Sequence, residues 1–253
     1  MIDELFITGA GVSASSGIPT FRGNDGFWTV GSVNYTPQEM ATRFMYENNP
    51  ADFLLWYFKR FASYRSVKPN IAHFWLADKK LITQNIDGLD GRAGNKGYIS
   101  IHGRLDKVIY YRNEMDKQSP IDANWDEIDL VSNPSDDLLK DKLLNKFKIR
   151  KFGNTFSPQH SISLKPYVLL FDEIYTDLYR ITEAEEWMKN ASKIIFIGTS
   201  FSVNITSIAL RLAVSRGIEV EIVDPEPIKL DYENIKYFKM TAEQYCEMRQ
   251  SKS

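Results

Sequence analysis

The sequence predicts an α/β fold: a doubly wound, mostly parallel Rossmann-like sheet with a second, smaller and mostly helical lobe formed by insertions. Three observations support this prediction. Short runs of Ile, Leu, Val and Phe alternate with helical segments, the runs are apolar throughout, and a glycine-rich turn follows the first of them. Strands that are apolar on both faces are typical of parallel sheets covered by helices, and alternation of strand and helix is typical of doubly wound folds.

Turn residues bound five runs that we predict as buried strands, at residues 5–8, 81–84, 167–171, 194–197 and 220–223. The helices have start and stop signals. Asn49 before Pro50 predicts a helix from 50 to about 64. Thr182 and Glu185 have the spacing of a capping box. Two more helices are expected to begin at Ser135 and near Asn204, and the second of these ends at Gly217.

Two stretches interrupt the alternation of strand and helix. Residues of about 30–78 are mostly helical in pattern, and residues of about 104–165 are polar and irregular. We expect a nucleotide-binding domain from residues 1–29, 79–103 and 166–253. The small domain would then consist of residues 30–78 and 104–165.

Composition excludes several classes of protein. The 253 residues carry 31 Lys and Arg against 33 Asp and Glu, so the net charge of −2 gives no sign of a nucleic-acid partner. Cys246 is the only cysteine, so neither an intrachain disulfide nor a cysteine-rich zinc site can form. No apolar run approaches the ~20 residues that cross a bilayer. We expect a cytoplasmic protein without a membrane partner, whose oligomeric state the sequence does not predict.

The glycine-rich turn follows the first predicted strand and reads Gly9-Ala10-Gly11-x-x-Ala14. This is the dinucleotide-binding fingerprint in its G-x-G-x-x-A form, in which glycines let the backbone approach a pyrophosphate at a helix N-terminus. Ser13 and Ser15 would add hydroxyl donors there. The alternative is a tight strand-to-helix turn without a ligand.

The residues after the fingerprint argue against a dehydrogenase. Gly17 and Pro19 break the helix early, where a dinucleotide fold of that class continues through a helix and a second strand to an acidic residue. The resulting loop would hold Phe21 and Arg22 near whatever the glycines bind. We therefore expect chemistry on the nucleotide itself and no hydride transfer.

The segment GAGVSASSGIPTFRG, residues 9–23, resembles the signature of the sirtuins, the NAD-dependent protein-lysine deacylases. Further matches follow in the family's order at residues 83–87 (TQNID), 101–103 (IHG) and 198–200 (GTS), with weaker matches at residues 69–73 and 166–173. The resemblance spans residues of about 5–225. It implies NAD as co-substrate, an acyl-lysine protein or peptide as substrate, and nicotinamide and O-acyl-ADP-ribose as products.

The resemblance also implies catalytic roles. His102 would be the general base for a ribose hydroxyl, because a histidine is suited to accept a proton near pH 7. Asn85 would position a water or hold the ribose at the bond that breaks. Asp87 would accept a hydrogen bond from the nicotinamide amide, and Ile86 would line the nicotinamide pocket. Phe21 would shield the reactive ribose carbon.

Other matched positions would bind the rest of NAD. Gln84 would contact the ribose hydroxyls, Arg22 would steady a phosphate or the loop, and Asp224 would bind the adenosine ribose, where the family commonly has Asn. Three residues after a predicted strand would offer donors to the phosphates: Gly198, Thr199 and Ser200.

The chain lacks the two Cys-x-x-Cys pairs that hold structural zinc in the usual sirtuin. The corresponding positions fall near residues 110–113 and 157–160, where only His160 is a plausible ligand, and one ligand does not hold zinc. We expect no metal and a lobe stabilised by packing. The candidates for this packing are Val108, Ile109, Tyr110, Leu138, Leu139, Leu143 and Phe147.

Two features concern the substrate. The family usually has Phe-Gly-Glu in the segment that pairs with the substrate backbone, and this chain has Phe171, Asp172 and Glu173. Tyr57 and Arg60 share a helix face and resemble the pair that grips acidic acyl groups such as succinyl. The alternative is an exposed Arg beside a half-buried Tyr on an amphipathic helix.

Three functions remain open at this point. The leading one is an NAD-dependent lysine deacylase. The second is an NAD glycohydrolase or mono-ADP-ribosyltransferase on the same fold, which the altered substrate segment and the absent cysteines favour. The third is a nucleotide sensor without turnover, against which Asn85, Asp87 and His102 argue, since a sensor has no need of all three. His73 and His160 are assigned structural or surface roles.

Overall fold

A computed structural model describes residues 2–20, 35–128 and 135–251. The strands, in chain order, are β1 (Leu5–Thr8), β2 (Lys80–Thr83), β3 (Ile99–Ser100), β4 (Gly103–Tyr110), β5 (Ile121–Asp122), β6 (Arg150–Phe152), β7 (Thr155–Ser157), β8 (Leu164–Val168), β9 (Lys193–Ile197), β10 (Glu219–Val223) and β11 (Ile235–Phe238). The α-helices are α1 (Pro37–Met40), α2 (Arg43–Asn48), α3 (Pro50–Tyr64), α4 (Ile71–Trp75), α5 (Leu89–Arg92), α6 (Asp136–Lys146), α7 (Ile181–Asn190), α8 (Asn204–Arg216) and α9 (Ala242–Gln250).

The chain divides into two units. The first comprises residues 1–20, 67–102 and 179–253, and the second comprises residues 21–66 and 103–178. Among the described residues this division differs from the expected domains at residues 67–78, which lie in the first unit, and at residues 103 and 166–178, which lie in the second. No helix among the described residues is long and apolar enough to cross a membrane.

The first unit contains the predicted parallel sheet. Among the described residues six strands pair in the order β11-β10-β9-β1-β2-β3, and every pairing is parallel. All four residues of β1 are buried, so both faces of the central strand are covered, as the apolar runs predicted. The register places Thr8 beside Thr83 of β2 and Ile197 of β9. The carboxyl ends of these three central strands therefore meet at one edge.

The second unit contains a small antiparallel sheet, ordered β5-β4-β8, and the β6–β7 hairpin. The run at 167–171 was predicted as a strand of the main sheet, and this prediction is wrong in placement. The strand is β8, shifted to Leu164–Val168, and it pairs antiparallel with β4. An apolar run indicates a buried strand but does not specify which sheet it joins.

The core of the second unit centres on Trp125. Its ring lies 5.2 Å from Phe147, 5.7 Å from Phe61 and 5.8 Å from Phe58, measured between centroids. Its indole N–H donates to the Leu105 carbonyl at 2.6 Å. Five of the expected packing residues are buried, but Leu138 is 48% exposed and Tyr110 is only half-buried.

Several helix boundaries follow the sequence. Helix α3 spans the predicted 50–64, and the Ser135 hydroxyl caps α6 by accepting the Leu138 N–H at 3.3 Å. The predicted capping box at Thr182 is wrong, because α7 already begins at Ile181 after Arg180 in the left-handed region. Asn204 is the first residue of α8, and its cap is Val203.

Candidate functional site

The predicted site residues of the first unit follow β1, β2 and β9 directly. The Thr8 hydroxyl donates to the Thr83 hydroxyl at 2.9 Å, and the Gln84 N–H continues the ladder to the Thr8 carbonyl at 2.9 Å. On the side of β1 that faces β9, the Gly9 N–H donates to the Ile197 carbonyl at 3.1 Å. The loops that carry the glycine turn, the TQNID segment and the GTS segment are thus held side by side at the edge where open α/β sheets bind ligands.

The glycines of two loops pack directly against each other. The Gly11 N–H donates to the Gly198 carbonyl at 2.9 Å. A Cβ on Gly9 would lie 2.7 Å from the Gly198 oxygen, and a Cβ on Gly198, at φ +61°, would lie 2.6 Å from the Gly11 Cα. No side chain fits at this contact. The expected helix after the turn is a 3-10 helix, Ala10–Ser16, which ends at Gly17 with φ 86°.

Ser13 is the centre of a hydrogen-bond network. Its hydroxyl donates to Asp87 Oδ2 at 2.8 Å and accepts from Asn85 Nδ2 at 3.1 Å. Asn85 Nδ2 also donates to the Gly9 carbonyl at 3.0 Å, so both its N–H bonds are used and only its Oδ1 can receive a further partner. We expected Ser13 as a phosphate donor. Here its hydroxyl instead fixes Asn85 and Asp87 relative to the glycine turn.

His73 joins this network, which the sequence reasoning missed. The ring is fully buried, with Nε2 3.4 Å from the Ser13 hydroxyl and Nδ1 2.8 Å from Asn70 Oδ1. Burial lowers its pKa, against the opposing charges of Asp87 and Glu243. The weaker match at residues 69–73 was the signal that could have placed His73 beside the site.

Ser15 makes contacts other than those expected. Its hydroxyl donates to the Glu243 carboxylate on α9 and accepts from Asn70 Nδ2 at 2.8 Å. It therefore ties the glycine turn to the last helix, and a phosphate contact would require it to leave Glu243.

His102 is held in a defined tautomer. Its Nδ1 lies 3.0 Å from the Gln84 carbonyl oxygen. A carbonyl only accepts hydrogen bonds, so Nδ1 carries the proton and Nε2 carries the lone pair. Burial lowers the pKa of His102 to about 4, and the bond to Gln84 opposes this only in part. The imidazole is neutral at pH 7 and can accept a proton at Nε2.

The remaining predicted nucleotide contacts are distributed along the same edge. Gln84 Nε2 donates to the Thr199 hydroxyl and to the Thr8 carbonyl, both at 3.1 Å. The Ser200 hydroxyl is exposed and bonds to that of Ser202. Asp224 follows β10 and accepts the Glu226 N–H at 2.9 Å. Ile86 is half-buried after β2, whereas Phe21 and Arg22 lie outside the described residues.

Asp90 is a buried acid that the sequence analysis did not single out. Its Oδ1 is buried without a hydrogen-bond partner among the described residues, and its carboxyl bonds to Thr83. Burial and the neighbouring charge of Asp87 raise its pKa to about 7. The sequence could have indicated Asp90 as a neighbour of the site, because it lies only three residues after Asp87, on α5.

Tyr57 and Arg60 lie on α3 in the second unit and are both buried. The Arg60 guanidinium stacks on Trp56, 3.7 Å from the ring centroid. Burial lowers the pKa of Arg60 to about 10, so it remains charged at pH 7. Burial raises the pKa of Tyr57, and the charges of Glu173 and Asp172 raise it further. The alternative interpretation, an exposed Arg60 beside a half-buried Tyr57, does not describe these two buried side chains.

Comparison with known proteins identifies the family. The Sir2 family model matches residues 9–205. The chain belongs to the Sir2 family. It is 31% identical over 250 residues to NAD-dependent protein deacylase 1 of Caldanaerobacter subterraneus, covering 96% of this chain and 90% of that protein. It is 32% identical to NAD-dependent protein deacylase 2 of Archaeoglobus fulgidus, covering 90% and 81%. The structure of a Sir2 homolog–NAD complex aligns with a TM-score of 0.71 at 28% identity, covering 99% and 90%. The predicted sirtuin resemblance is confirmed.

Near residues 110–113 and 157–160, the positions to which the resemblance assigns the zinc ligands of the usual sirtuin, this chain has an aromatic and polar contact. The Tyr111 N–H donates to the Ser163 carbonyl at 2.8 Å, and the Tyr111 carbonyl accepts the Ser161 N–H at 2.7 Å. The rings of Tyr111 and His160 lie 6.3 Å apart, and the Arg43 guanidinium lies 4.9 Å from the Tyr111 ring centroid. Within the described ranges no three His, Cys, Asp or Glu side chains are placed to hold a metal ion. These residues do not fit zinc.

In this sirtuin the acidic side chains of the Phe-Asp-Glu segment, residues 171–173, form hydrogen bonds and ion pairs with other residues of the second unit. Glu173 is buried and forms an ion pair with the buried Lys165 at 2.9 Å. The Asp172 carboxylate accepts the first two N–H groups of α2, and Phe171 is 56% exposed. Both carboxylates are therefore bonded within the second unit, and the expected pairing of this segment with a substrate backbone stays a prediction.

Proposed function

We propose that this protein removes acyl groups from lysine side chains with NAD as co-substrate, releasing nicotinamide and forming O-acyl-ADP-ribose. The observation that carries the proposal is His102. Its protonated Nδ1 is fixed on the Gln84 carbonyl, and its unprotonated Nε2 is ready to act as a base at pH 7. Family membership and the NAD-dependent relatives support NAD as co-substrate.

Each step of the proposed reaction is assigned to particular residues of the site. The bond between ribose C1′ and the nicotinamide nitrogen breaks, its electron pair leaves with nicotinamide, and the acyl-lysine carbonyl oxygen bonds to C1′. His102 then takes the proton of a ribose hydroxyl, whose oxygen attacks the acyl carbon. The bond between the acyl carbon and the lysine nitrogen breaks, the amine leaves with a proton, and water adds to the acyl carbon, so that O-acyl-ADP-ribose and free lysine are formed. Asp87 accepts a hydrogen bond from the nicotinamide amide, and Asn85 orients a water or the ribose with its remaining Oδ1. The Ser13 network supports these last two roles by fixing both side chains.

A product assay tests the proposal. The protein is incubated with NAD and with acetyl-, succinyl- or longer-chain acyl-lysine peptides, and nicotinamide and O-acyl-ADP-ribose are measured. We expect both products in equal amounts, and only when an acyl peptide is present. Rapid nicotinamide release from NAD alone would favour the glycohydrolase or ADP-ribosyltransferase alternative, and nucleotide binding without any release would favour a sensor.

We propose further that the acyl pocket accepts acidic groups, because Arg60 is a buried, charged guanidinium beside Tyr57. A hydrogen-bonded charge of this kind contributes about 1.5–3 kcal/mol. Replacing Arg60 with Met keeps a chain that packs on Trp56 but removes the charge. We expect kcat/KM for a succinyl peptide to fall roughly 10- to 100-fold relative to that for the acetyl peptide.

Lys59→Met is the matched control for Arg60→Met, because Lys59 lies on the same helix but is 54% exposed and pairs with Asp136. It should leave the ratio of succinyl to acetyl activity unchanged. A ratio that is unchanged in Arg60→Met as well would mean that Arg60 does not read the acyl group.

We also propose that the protein works without zinc and in the cytoplasm. Its single cysteine, Cys246, is buried, and burial raises the pKa of its thiol to about 12, which disfavours the thiolate that binds metals. Metal analysis of the purified protein should find less than a stoichiometric amount of zinc, and a chelator should leave its melting temperature unchanged. A full equivalent of tightly held zinc would contradict this.

A further inference from the structure

Positive charge is concentrated in one segment of the second unit. Residues 142–171 carry six Lys or Arg and no Asp or Glu, although the whole chain has 31 basic against 33 acidic side chains. The segment comprises the last part of α6, the β6–β7 hairpin and β8. The small net charge of the chain, which gave no sign of a nucleic-acid partner, therefore conceals a local excess of positive charge. The six residues are Lys142, Lys146, Lys148, Arg150, Lys151 and Lys165.

Only some of these cations have a partner within the protein. Lys146 pairs with Glu127, and Lys165 is buried against Glu173. Lys146 also stands in the last turn of α6, where positive charge complements the helix dipole. The three cations at 148, 150 and 151 follow the end of the helix and are exposed. No carboxylate among the described residues forms an ion pair with any of these three, so their charge remains uncompensated.

One face of the β6–β7 hairpin combines a cation with an aromatic ring. Arg150 lies opposite Ser157, and Phe152 lies opposite Thr155. Side chains alternate between the faces of a strand and residues directly opposite share a face, so these four stand together. Arg150, Phe152 and Thr155 are exposed, with the Phe152 side chain at 52%. The loop begins with Gly153 at φ +59°, which suits a two-residue hairpin turn.

A second ring between two cations adjoins the start of the hairpin. The Lys148 Nζ lies 5.9 Å from the ring centroid of Tyr110, and the Arg112 guanidinium lies 5.6 Å from the same centroid. Lys148 has a φ of +56°, at the end of α6, where helices usually place Gly. A lysine strains the backbone at such a position, so the helix end by itself does not explain the choice of this residue.

Exposed rings beside uncompensated cations match the chemistry of a single-stranded nucleic acid. Lys and Arg bind its phosphates, and its unpaired bases stack on aromatic side chains. An anionic membrane fits less well, because Phe152 is the only large apolar side chain exposed on the described hairpin residues 150–157, and the turn beside it is Gly-Asn. An acidic polypeptide would use the cations but would leave the Phe152 ring without a partner.

We propose that the hairpin face formed by Arg150 and Phe152, together with the flanking Lys148 and Lys151, binds single-stranded nucleic acid without sequence preference. The three cations contact phosphates, and Phe152 stacks on a base. This binding is separate from the proposed deacylation. It uses neither NAD nor any residue assigned to the reaction, so each of the two activities can fail without the other.

The test titrates the full-length protein into a fluorescently labelled oligothymidylate of about 12 nucleotides and follows binding by anisotropy. An abasic strand of the same length carries the same phosphates without bases. We expect the abasic strand to bind roughly 10-fold more weakly, because base stacking is lost. The logarithm of the association constant for oligothymidylate should fall against the logarithm of the salt concentration with a slope of about −2, as three phosphate contacts require. Equal affinity for the two strands would overturn the proposal.

Replacing the ring tests the stacking contact directly. Phe152→Ala should weaken oligothymidylate binding roughly 10-fold and leave binding of the abasic strand unchanged. Phe152→Trp keeps an aromatic ring, so it should bind at least as tightly as wild type, and the added tryptophan fluorescence should be quenched by the strand. Phe74→Ala is the matched control, because Phe74 is 57% exposed but lies on α4 in the first unit. Oligothymidylate binding that is unchanged in Phe152→Ala would overturn the proposal.

Replacing the cations tests the phosphate contacts. Arg150→Ala and Lys151→Ala should each bring the salt slope closer to zero by about 0.7. Lys96→Ala, at an exposed lysine of the first unit, should leave the slope unchanged. A slope that is the same in all three variants would overturn the assignment of the hairpin cations to phosphates.

Two further probes separate the other polyanions. Polyglutamate that binds as tightly as oligothymidylate, and equally to wild type and Phe152→Ala, would overturn the proposal in favour of an acidic polypeptide. Binding to phosphatidylserine vesicles without binding to oligothymidylate would overturn it in favour of a membrane. Affinity for NAD, measured by calorimetry, should be the same in wild type and in every hairpin variant, which shows that a loss of strand binding does not come from unfolding.

Discussion

Replacing His102 with Ala is expected to lower kcat for acyl transfer by about 10²- to 10⁴-fold, the usual contribution of a positioned general base. The imidazole carries its lone pair on Nε2, because Nδ1 donates its hydrogen to the Gln84 carbonyl. Affinity for NAD should change little, since Ala leaves the Ser13, Asn85 and Asp87 network intact. Single-turnover formation of O-acyl-ADP-ribose, measured beside calorimetric NAD binding, separates the two effects.

The pH profile gives a second measurement of the same residue. A free histidine titrates near pH 6.5, but burial lowers the pKa of His102 to about 4. The base is then unprotonated throughout the neutral range, so kcat/KM should stay flat from pH 8 down to about pH 5 and fall only below that. An acid limb centred near pH 6.5, or acyl transfer at an undiminished rate in His102→Ala, would contradict the assignment.

His160→Ala is the matched control for His102→Ala. His160 is exposed in the second unit, where its ring contacts Tyr111 and its Nδ1 lies 3.1 Å from the Ser161 hydroxyl. Its substitution should leave both kcat and the pH profile unchanged.

The sequence was sufficient to predict the parallel sheet and the edge on which the site residues lie. Both follow from local patterns: apolar strands covered on two faces, and motif residues placed directly after them. The first residue of helix α3 was predicted correctly because Pro50, after Asn49, is favoured in the first turn of a helix. The strand β8 was misplaced because an apolar run carries no information on its partner, and β8 pairs with a strand more than fifty residues earlier.

The chemistry of individual site residues was less predictable, because their partners are distant in sequence. Ser13 was expected to face a phosphate, but it binds Asp87, 74 residues later. Ser15 binds Glu243, 228 residues away, and Asp172 caps a helix that begins 129 residues earlier. A motif identifies which residue types recur at a site, whereas the hydrogen bonds that orient them depend on the tertiary fold.

Replacing Asp90 with Asn is expected to stabilise the protein above neutral pH. An Asp in an unfolded chain titrates near 3.9, whereas burial raises the pKa of Asp90 to about 7. The folded state therefore holds a proton that the unfolded state has lost, and the free energy of unfolding falls as the pH rises from about 4 to about 7. The difference of about three pKa units corresponds to roughly 2–4 kcal/mol.

Asn retains the shape of the protonated acid, and its Oδ1 can accept the Thr83 O–H as the carboxyl oxygen does, so the bond with Thr83 can persist. At pH 8, where wild-type Asp90 is ionised, urea unfolding should give a free energy of unfolding larger for Asp90→Asn by roughly 2–4 kcal/mol, and the advantage should shrink toward zero near pH 4. Asp78→Asn is the control, since that carboxylate is 78% exposed and should change stability equally at both pH values. An Asp90→Asn effect that does not vary with pH would show that the carboxyl is ionised in the folded state. In that case Asp90 would need a cationic or hydrogen-bonding partner for its Oδ1, because its carboxylate would be charged beside Asp87 at neutral pH.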